Sequence, residues 1–490
     1  MVNERAQTGI EGLDSILWGG LPKNRLYLVE GDPGVGKTTL ALQFLLQGVA
    51  KGESALYITM SETEAEIRAI ADSHGWSLDG LAMFELSALE QQTRLESQNT
   101  VFRPSDVELT ETTRAILSYV EKIKPQRVVF DSLSELRLLA QSALRYRREV
   151  LNLKQYFTGK QCTVLLLDDR TSEPGDMQLQ SLAHGVLSLQ QMPPEFGGDR
   201  RRLRIMKLRG AEFQSGYHDF AIRHGGLELF PRLVAAEHHA DFARDRVSSG
   251  ITELDTMLGG GVTRGTSTLI MGPAGSGKSS IASLYATAAA RRGERAVIFT
   301  FDELRRTTIE RADSLGMSMT AEIDAGRLIV QQVDPAELSP GELVHRARDL
   351  IQKQGVTFLV IDSLNGYMQA MPAERYLYVQ LHELLTYFAH CGVTTVMLMA
   401  QAGLIGNTES PADVSYIADT VMLLRYFESR GHVHKAISVI KMRTGRHEST
   451  IRELIFNEGG LSVGAPLVDF RGVLTNAPEF HGDDARLVTK

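Results

Sequence analysis

The chain has 490 residues, of which 43% are hydrophobic and 23% are charged, with 44 glycines and 15 prolines. This ordinary composition excludes a wholly disordered chain, a collagen-like repeat and a small disulfide-rich scaffold, and the length favours two to four domains. The formal net charge of −8 provides no overall attraction for nucleic acid or for an anionic membrane surface.

The cysteines and the N-terminal residues indicate the cellular compartment. Cys162 and Cys391 are far apart in the sequence and lie beside apolar strand-like runs, so we expect two buried, reduced thiols. Residues 1–10 lack the apolar core of a secretory signal, and no apolar run reaches the ~20 residues of a membrane-spanning helix. We therefore expect a soluble, cytoplasmic protein without membrane contact.

A long internal repeat dominates the organisation of the chain. Residues 8–38 align without a gap with residues 249–279 at an offset of 241, and the same offset pairs 59–62 with 300–303. A period of this length corresponds to a complete domain rather than to a solenoid unit. The repeat predicts two similar domains, at 1–234 and 249–460, joined by a charged linker at 235–248. A loosely ordered C-terminal tail follows at 461–490.

Short apolar runs alternate with longer helical patterns in both copies. Predicted strands, in chain order, are 25–30, 55–59, 127–130, 163–167 and 202–207, then 267–271, 296–301, 357–361, 394–399 and 436–441. Candidate helices between them include 38–50, 62–74 and 279–291. Because several strands are apolar nearly throughout, we expect α/β domains whose mostly parallel sheets are buried on both faces.

Two phosphate-binding loops stand at equivalent places in the repeat. Residues 31–38 (GDPGVGKT) and 272–279 (GPAGSGKS) both fit G-x-x-x-x-G-K-[ST] between a strand and a helix. Their backbone amides would cradle phosphates at the positive end of the helix, while Lys37 and Lys278 would reach the β- and γ-phosphates. The predicted nucleotide-binding residues are Gly31, Gly34, Val35, Gly36, Lys37, Thr38, Thr39, Gly272, Gly275, Ser276, Gly277, Lys278, Ser279 and Ser280.

A carboxylate ends a buried strand downstream of each loop. Asp131 follows Val-Val-Phe and Asp362 follows Leu-Val-Ile, which places both charges at the ligand-binding edge of a parallel sheet. Together with the hydroxyls of Thr38 and Ser279, they are the candidate Mg²⁺ ligands.

Acidic residues also follow the second strand of each copy, where they could orient or deprotonate water. The candidates are Glu62 in the first copy and Asp302 and Glu303 in the second. A helix N-terminus also favours acidic residues through its dipole, and the two explanations are compatible.

Further blocks distinguish the chain from generic recombinases, which share only the phosphate loop. These are Lys207–Gly210 with its counterpart Lys441–Arg443, and the C-terminal stretches Ile417–Thr420 and Ile451–Leu454. With them, residues 8–480 resemble the KaiC family of circadian clock proteins, which are tandem RecA-like P-loop ATPases.

The resemblance implies a homohexamer with Mg²⁺ and ATP held between subunits, and a protein that interacts with Kai-type or signalling partners. It also implies residues that act in trans on the ATP of a neighbouring subunit: Lys207, Leu208, Arg209, Lys441, Met442 and Arg443. A lysine and an arginine that are close together stabilise the negative charge on a phosphoryl group during its transfer.

The chain departs from the family pattern at three places. Ser61-Glu62 replaces a pair of glutamates, Asp302 replaces the first glutamate of the second pair, and Ser415-Tyr416 replaces the Ser-Thr phosphorylation pair. Ser415 is therefore the candidate phosphosite, since the phenol oxygen of Tyr416 lies further from the backbone than a threonine hydroxyl.

Three functions remain open at this point. The first is a KaiC-like ATPase that also phosphorylates itself, and the second is such an ATPase without kinase activity that acts as a nucleotide-gated signalling scaffold. The third, which we do not favour, is a single-stranded nucleic-acid machine, whose basic candidates are residues 145–148 and 200–202.

Overall fold

The computed structural model describes residues 4–86, 105–140, 142–169, 178–193, 197–237, 239–369, 377–401, 414–429, 431–457, 459–474 and 479–480, and the backbone alone at a few of these. The chain divides into two compact units. The first comprises Met1–Arg232 with Ser339–Glu342, and the second comprises Leu233–Leu338 with Leu343–Lys490.

Strands of the first unit form a short pair and one large sheet. They are β1 Arg5–Ala6, β2 Leu21–Pro22, β3 Leu26–Gly31, β4 Ala55–Thr59, β5 Leu81–Glu85, β6 Arg127–Asp131, β7 Thr163–Asp169, β8 Gly185–Met192, β9 Arg200–Leu208, β10 Tyr217–Arg223 and β11 Gly226–Phe230. The sheet has the order β11-β10-β9-β8-β3-β7-β6-β4-β5. Strands from β8 to β5 in that order run parallel, and β9, β10 and β11 extend the sheet antiparallel.

Helices cover both faces of this sheet. They are α1 Glu11–Ile16, α2 Lys37–Ala50, α3 Glu64–Ser73, α4 Ser105–Ile123, α5 Leu133–Ala140, α6 Ala143–Thr158 and α7 Gln178–Leu182. Alternate residues of β3 point to opposite faces, so that Tyr27 packs with Phe44 of α2 while Leu28 packs in the cluster that holds Val150 of α6. Burial on both faces explains why the central strands are apolar throughout.

The second unit repeats this architecture. Its strands are β12 Arg246–Val247, β13 Val262–Thr263, β14 Ser267–Gly272, β15 Arg295–Thr300, β16 Leu328–Gln332, β17 Val356–Asp362, β18 Thr394–Ala400, β19 Thr420–Ser429, β20 His432–Met442, β21 Arg452–Asn457 and β22 Gly460–Pro466, followed by the pair β23 Phe470–Arg471 and β24 Glu479–Phe480. Its helices are α8 Thr252–Met257, α9 Lys278–Arg291, α10 Arg305–Ser314, α11 Met319–Asp324, α12 Pro340–Gln354 (from Leu343 on), α13 Leu364–Gln369 and α14 Leu377–His390.

The sheet of the second unit has the order β16-β15-β17-β18-β14-β19-β20-β21-β22. Each of its strands corresponds to one strand of the first sheet, with the same neighbours and the same change from parallel to antiparallel pairing after β19. The structure therefore confirms the prediction of tandem α/β domains of the RecA type with mostly parallel sheets.

The segments predicted as linker and tail contain regular structure. Ala235–Glu237 is a 3-10 turn and Arg246–Val247 is β12, both inside the predicted linker. The prediction of a loosely ordered tail is wrong for 461–466, because β22 pairs with β21 and buries Leu461 and Val463 in the core. Residues 475–478 and 481–490 of that segment lie outside the described part of the chain, and the predicted domain limits at 234 and 249 stay predictions.

Candidate nucleotide sites

The two phosphate loops have the same geometry. Gly36 and Gly277 adopt left-handed backbone angles, with φ of 110° and 107°, immediately before α2 and α9. A Cβ atom at these glycines would lie 2.5 Å from Ile222 Cδ1 and 2.6 Å from Phe456 Cζ, respectively. Glycine is thus required at both positions, by the backbone angle and by the close approach of the last strands of the sheet.

The loop lysines lie inside the turn that precedes them. Lys37 Nζ donates to the carbonyl oxygens of Gly31 (2.8 Å) and Asp32 (2.9 Å), and Lys278 Nζ donates to the corresponding carbonyls at 2.9 and 2.8 Å. Both side chains are largely buried, at 7% and 8% exposure. The remaining predicted loop residues divide into the buried Val35, Thr39, Ser276 and Ser280 and the exposed Gly34 and Gly275.

The predicted Mg²⁺ ligands lie together in each unit. Thr38 Oγ1 donates to Asp131 Oδ2 at 2.8 Å, and the Tyr57 hydroxyl donates to the same oxygen. In the second unit Ser279 lies close enough to Asp362 to lower the pKa of its carboxyl group. Burial raises the pKa of both carboxyl groups, an effect that these hydroxyl groups oppose. A hydroxyl and a carboxylate beside a phosphate loop form an oxygen donor set that suits Mg²⁺.

The two lysines differ in their acidic neighbours. Lys37 Nζ forms an ion pair of 2.6 Å with Asp169, the last residue of β7. In the second unit Ala400, which pairs with Gly272, stands where Asp169 stands beside Gly31 in the first. Among the described residues, no carboxylate lies within ion-pair distance of Lys278. Burial lowers the pKa of Lys278 to about 8, although Asp362 opposes this shift.

Glu62 has the environment of a candidate base. Its Oε2 atom is buried and has no hydrogen-bond partner, while its backbone is held by Thr59. Burial raises the pKa of its carboxyl group, and the nearby charges of Asp131, Glu66 and Asp169 add to this shift. The strand order brings Glu62 and Asp131 to the same edge of the sheet, since β4 and β6 are neighbours.

The two acidic candidates of the second unit are both engaged. Asp302 Oδ2 accepts a hydrogen bond of 2.6 Å from Ser363 Oγ. Glu303 accepts from Arg311 Nη1 at 2.5 Å and from Thr308 Oγ1 at 3.0 Å, both at Oε2. The structure thus places the sequence-predicted residues near Asp362 but assigns different neighbours to each.

A cavity borders the second phosphate loop. It has a volume of about 410 Å³ and is lined by residues of the loop, of α10 and of the last strands, among them Lys278, Ser279, Arg311, Leu315 and Phe456. The ammonium group of Lys435 lies 4.3 Å from the centroid of the Phe456 ring. This combination of cations and an aromatic face suits an anionic ligand that carries a flat ring.

The predicted trans-acting residues lie away from the phosphate loop of their own unit. The register pairs Lys207 with Val186 of β8, which is level with Leu28 of β3. Leu28 precedes the loop start at Gly31 by three residues, about 10 Å along the strand. β9 is antiparallel to β8, so Arg209 continues in the direction away from that loop.

The second unit has the same arrangement. Through β19, Lys441 and Met442 are aligned with the first residues of β14, at the end of that strand opposite to the phosphate loop. In the first unit Leu208 is aligned in the same way with the first residues of β3. Lys441 Nζ donates to the Ser415 carbonyl (2.8 Å), and Arg443 Nη2 donates to the Tyr416 carbonyl (2.7 Å). The candidate phosphosite and the basic pair are therefore adjacent.

Of the two basic runs considered for nucleic-acid binding, residues 200–202 lie beside carboxylates. On β9, Arg201 lies 3.5 Å from Asp199 and Arg202 lies 3.4 Å from Asp219. Among the described residues, no helix is long and apolar enough to cross a membrane, and no cluster of metal-ligating side chains occurs.

Sequence reasoning missed several neighbours of the site. Asp169 could have been found, because it ends a buried strand in the same way as Asp131 does. Tyr57, Arg311 and Phe456 gave no signal, because their contacts depend on which strands and helices become neighbours.

Comparison with known proteins agrees with this geometry. A family model described as "ATPase: KaiC" matches residues 6–234 and again 247–468. The chain is 29% identical to the circadian clock oscillator protein KaiC of Parathermosynechococcus lividus, over 97% of this chain and 88% of that protein. It is 29% identical to the KaiC of Picosynechococcus sp., with 97% and 92% covered, and 26% identical to the circadian clock protein KaiC3 of Synechocystis sp., with 97% and 95% covered. The chain is a member of the KaiC family of ATPases, with two copies of the family domain.

Proposed function

We propose that both units bind Mg-ATP and hydrolyse it. The observation that carries this proposal is the duplicated arrangement of a phosphate loop, a buried lysine and a hydroxyl–carboxylate pair at the edge of each sheet. Backbone amides of the loop would bind the phosphates, while Lys37 and Lys278 would exchange their carbonyl partners for phosphate oxygens. The cavity beside the second loop would take the base and sugar.

Thr38 with Asp131, and Ser279 with Asp362, would hold the metal. Bound Mg²⁺ would neutralise charge that develops on the β- and γ-phosphates. In the first unit, Glu62 would orient the attacking water and accept its proton. A buried, unpaired oxygen and a raised pKa are properties that this role requires.

We further propose a homohexamer in which each basic pair serves the neighbouring subunit. Lys207 and Arg209 extend away from their own phosphate loop, and so do Lys441 and Arg443, so a phosphate that they contact belongs to another copy. Their carbonyl contacts in the single chain would be replaced by the γ-phosphate of that copy. A head-to-tail contact of this kind forms a ring when its rotation closes, here after six copies.

Ser415 is the proposed site of autophosphorylation. Its carbonyl contacts Lys441, so it lies on the surface that would face the nucleotide of the neighbour. If Ser415 is not phosphorylated, the same assembly serves as an ATPase-driven scaffold, with partners of the Kai type that the names of the relatives suggest. We propose a cytoplasmic location for it.

One set of measurements tests these proposals. Light scattering with and without Mg-ATP should show a nucleotide-dependent hexamer, and Lys37→Ala/Lys278→Ala should abolish both assembly and hydrolysis. A monomer in saturating Mg-ATP contradicts the hexamer. Transfer of radiolabelled γ-phosphate should occur in the wild type and be lost in Ser415→Ala; equal labelling of both places the phosphate elsewhere, and labelling of neither favours the scaffold.

A further inference from the structure

Glu62 and Glu303 occupy equivalent positions in the two units. Each lies three residues after the threonine that ends its strand, β4 or β15, and the offset of 241 relates the two. Both therefore come to the corresponding edge of their own sheets, beside the carboxylate that we propose binds Mg²⁺. Their side chains nevertheless meet different surroundings.

In the second unit, α10 holds Glu303 by two side chains one helical turn apart. Arg311 Nη1 contacts both carboxylate oxygens, at 2.5 Å for Oε2, and Thr308 Oγ1 donates to Oε2 at 3.0 Å. Glu303 and Arg311 are about a quarter exposed. A partly buried ion pair reinforced by a hydroxyl restrains the carboxylate and satisfies its lone pairs.

In the first unit, α3 presents no such groups. The positions of Thr308 and Arg311 are taken by Ile67 and Ile70, which pack in the hydrophobic core. Glu62 consequently keeps a buried oxygen without a partner. At these two positions the equivalent helices thus carry apolar side chains in the first unit and a hydroxyl and a cation in the second.

Arg311 also lies at the boundary of the nucleotide site. It lines the cavity beside the second phosphate loop, and its positive charge acts on Asp362. Its Nε and Nη2 atoms are buried and make no hydrogen bond. Arg311 therefore lines the cavity and contacts Glu303 at the same time.

We propose that Arg311, assisted by Thr308, is an inhibitory clamp that keeps Glu303 from activating water and so slows ATP hydrolysis in the second unit. This inference rests on the proposed role of these acidic residues in hydrolysis. Arg311 is a positioning residue in this scheme, because it acts through Glu303. A water-activating carboxylate must be free to accept a proton, and a guanidinium on both of its oxygens opposes this.

Exchange of the side chains between the units tests the clamp. With Lys37→Ala to silence the first unit, Arg311→Ile should raise kcat about fivefold, the rate equivalent of one partly exposed ion pair, while KM changes less than twofold. Arg311→Lys, which keeps one charged contact, should give an intermediate kcat. Addition of Glu303→Gln to Arg311→Ile should remove the gain. Conversely, Ile70→Arg with Lys278→Ala should lower kcat of the first unit.

The outcomes separate the clamp from the proposed function. If the Lys37→Ala protein neither binds a fluorescent ATP analogue nor hydrolyses ATP, the second unit is not a nucleotide site and the proposed function fails. If it does both and Arg311→Ile leaves kcat unchanged or lowers it, the clamp is wrong. Should Arg311→Ile fail to fold by thermal melting, Arg311→Gln, which preserves much of the side-chain volume, carries the same expectation.

Discussion

At the scale of single residues, equivalent positions of the two units have acquired different electrostatic surroundings. The ammonium group of Lys37 forms an ion pair with Asp169. Lys278 has no such partner among the described residues, and burial lowers its pKa to about 8. Burial raises the pKa of the Glu62 carboxyl group. Because the backbones agree, these differences arise from single side chains, and each predicts a measurable difference between the sites.

Nucleotide binding to the second unit should weaken in alkaline solution. Above pH 8 the free protein increasingly carries a neutral Lys278, and ATP requires the charged form, so Kd should rise by up to roughly tenfold per pH unit. Titration of Lys37→Ala with a fluorescent ATP analogue between pH 7 and about 9.5 measures this. Lys278→Arg, which stays charged, is the control and should show little dependence. If Kd does not change with pH in the protein that keeps Lys278, the prediction is contradicted.

Hydrolysis in the first unit should depend on Glu62. In the Lys278→Ala background, Glu62→Gln should reduce kcat at least about tenfold and leave the affinity for ATP nearly unchanged, because the amide keeps the shape but cannot accept the proton. Since burial raises the pKa of Glu62, acid should begin to reduce the rate at a higher pH than for an exposed glutamate. Unchanged turnover in Glu62→Gln would remove this residue from the mechanism.

At the scale of elements, close packing depends on small residues at particular contacts. Helix α1 lies against β11 through Gly12, where an added Cβ would stand 2.0 Å from the Leu229 carbonyl oxygen. A carbonyl in a sheet cannot move aside as a flexible side chain can. Gly159, which ends α6, offers a contrast, because nothing lies within 4 Å of its Cβ position.

Gly12→Ala should therefore destabilise the protein while Gly159→Ala does not. Separation of α1 from β11 should lower the free energy of unfolding by roughly 1–3 kcal/mol, despite the better helix propensity of alanine. The control substitution should stay within about 0.5 kcal/mol of the wild type. Thermal or urea unfolding of both variants measures the difference, and equal midpoints would show that α1 can shift without cost.

At the scale of the whole molecule, the proposed trans action predicts complementation. Two variants that both carry Lys278→Ala are compared: one adds Glu62→Gln, which should still bind ATP, and the other adds Lys207→Ala and Arg209→Ala. Each alone should be nearly inactive. In a mixed ring, about one quarter of the interfaces would join an intact Glu62 to an intact basic pair, so a mixture incubated with Mg-ATP should recover about that share of activity.

Two results would contradict this arrangement. The Lys207→Ala/Arg209→Ala variant could retain full hydrolysis by itself, or the mixture could show no more activity than the two separate samples. Either outcome would return the basic residues to a structural role within their own chain, where they already bind carbonyl oxygens.

Much of the fold was predictable from sequence, because it depends on local and periodic features. The limits of most of the predicted strands, the parallel α/β class and both phosphate loops followed from apolar runs, glycine spacing and the repeat. Other strands of the two sheets were not predicted: β5, β8, β10, β11, β16, β19 and β21. The pairs Thr38–Asp131 and Ser279–Asp362 were predictable as well, since carboxyl ends of parallel strands meet at one edge. The strand β22 was not, because its glycine- and proline-containing sequence pairs only with a finished sheet edge.

The amino-acid sequence was enough to predict two related domains and the loop, lysine and acidic residues of each candidate site. The surroundings of those residues emerged only in three dimensions: Lys37 pairs with Asp169, Glu303 pairs with Arg311, and Glu62 keeps a buried oxygen without a hydrogen-bond partner. The physical reason is that a motif depends on chain-local geometry. The reactivity of a charged side chain depends on burial and on partners brought from distant strands and helices.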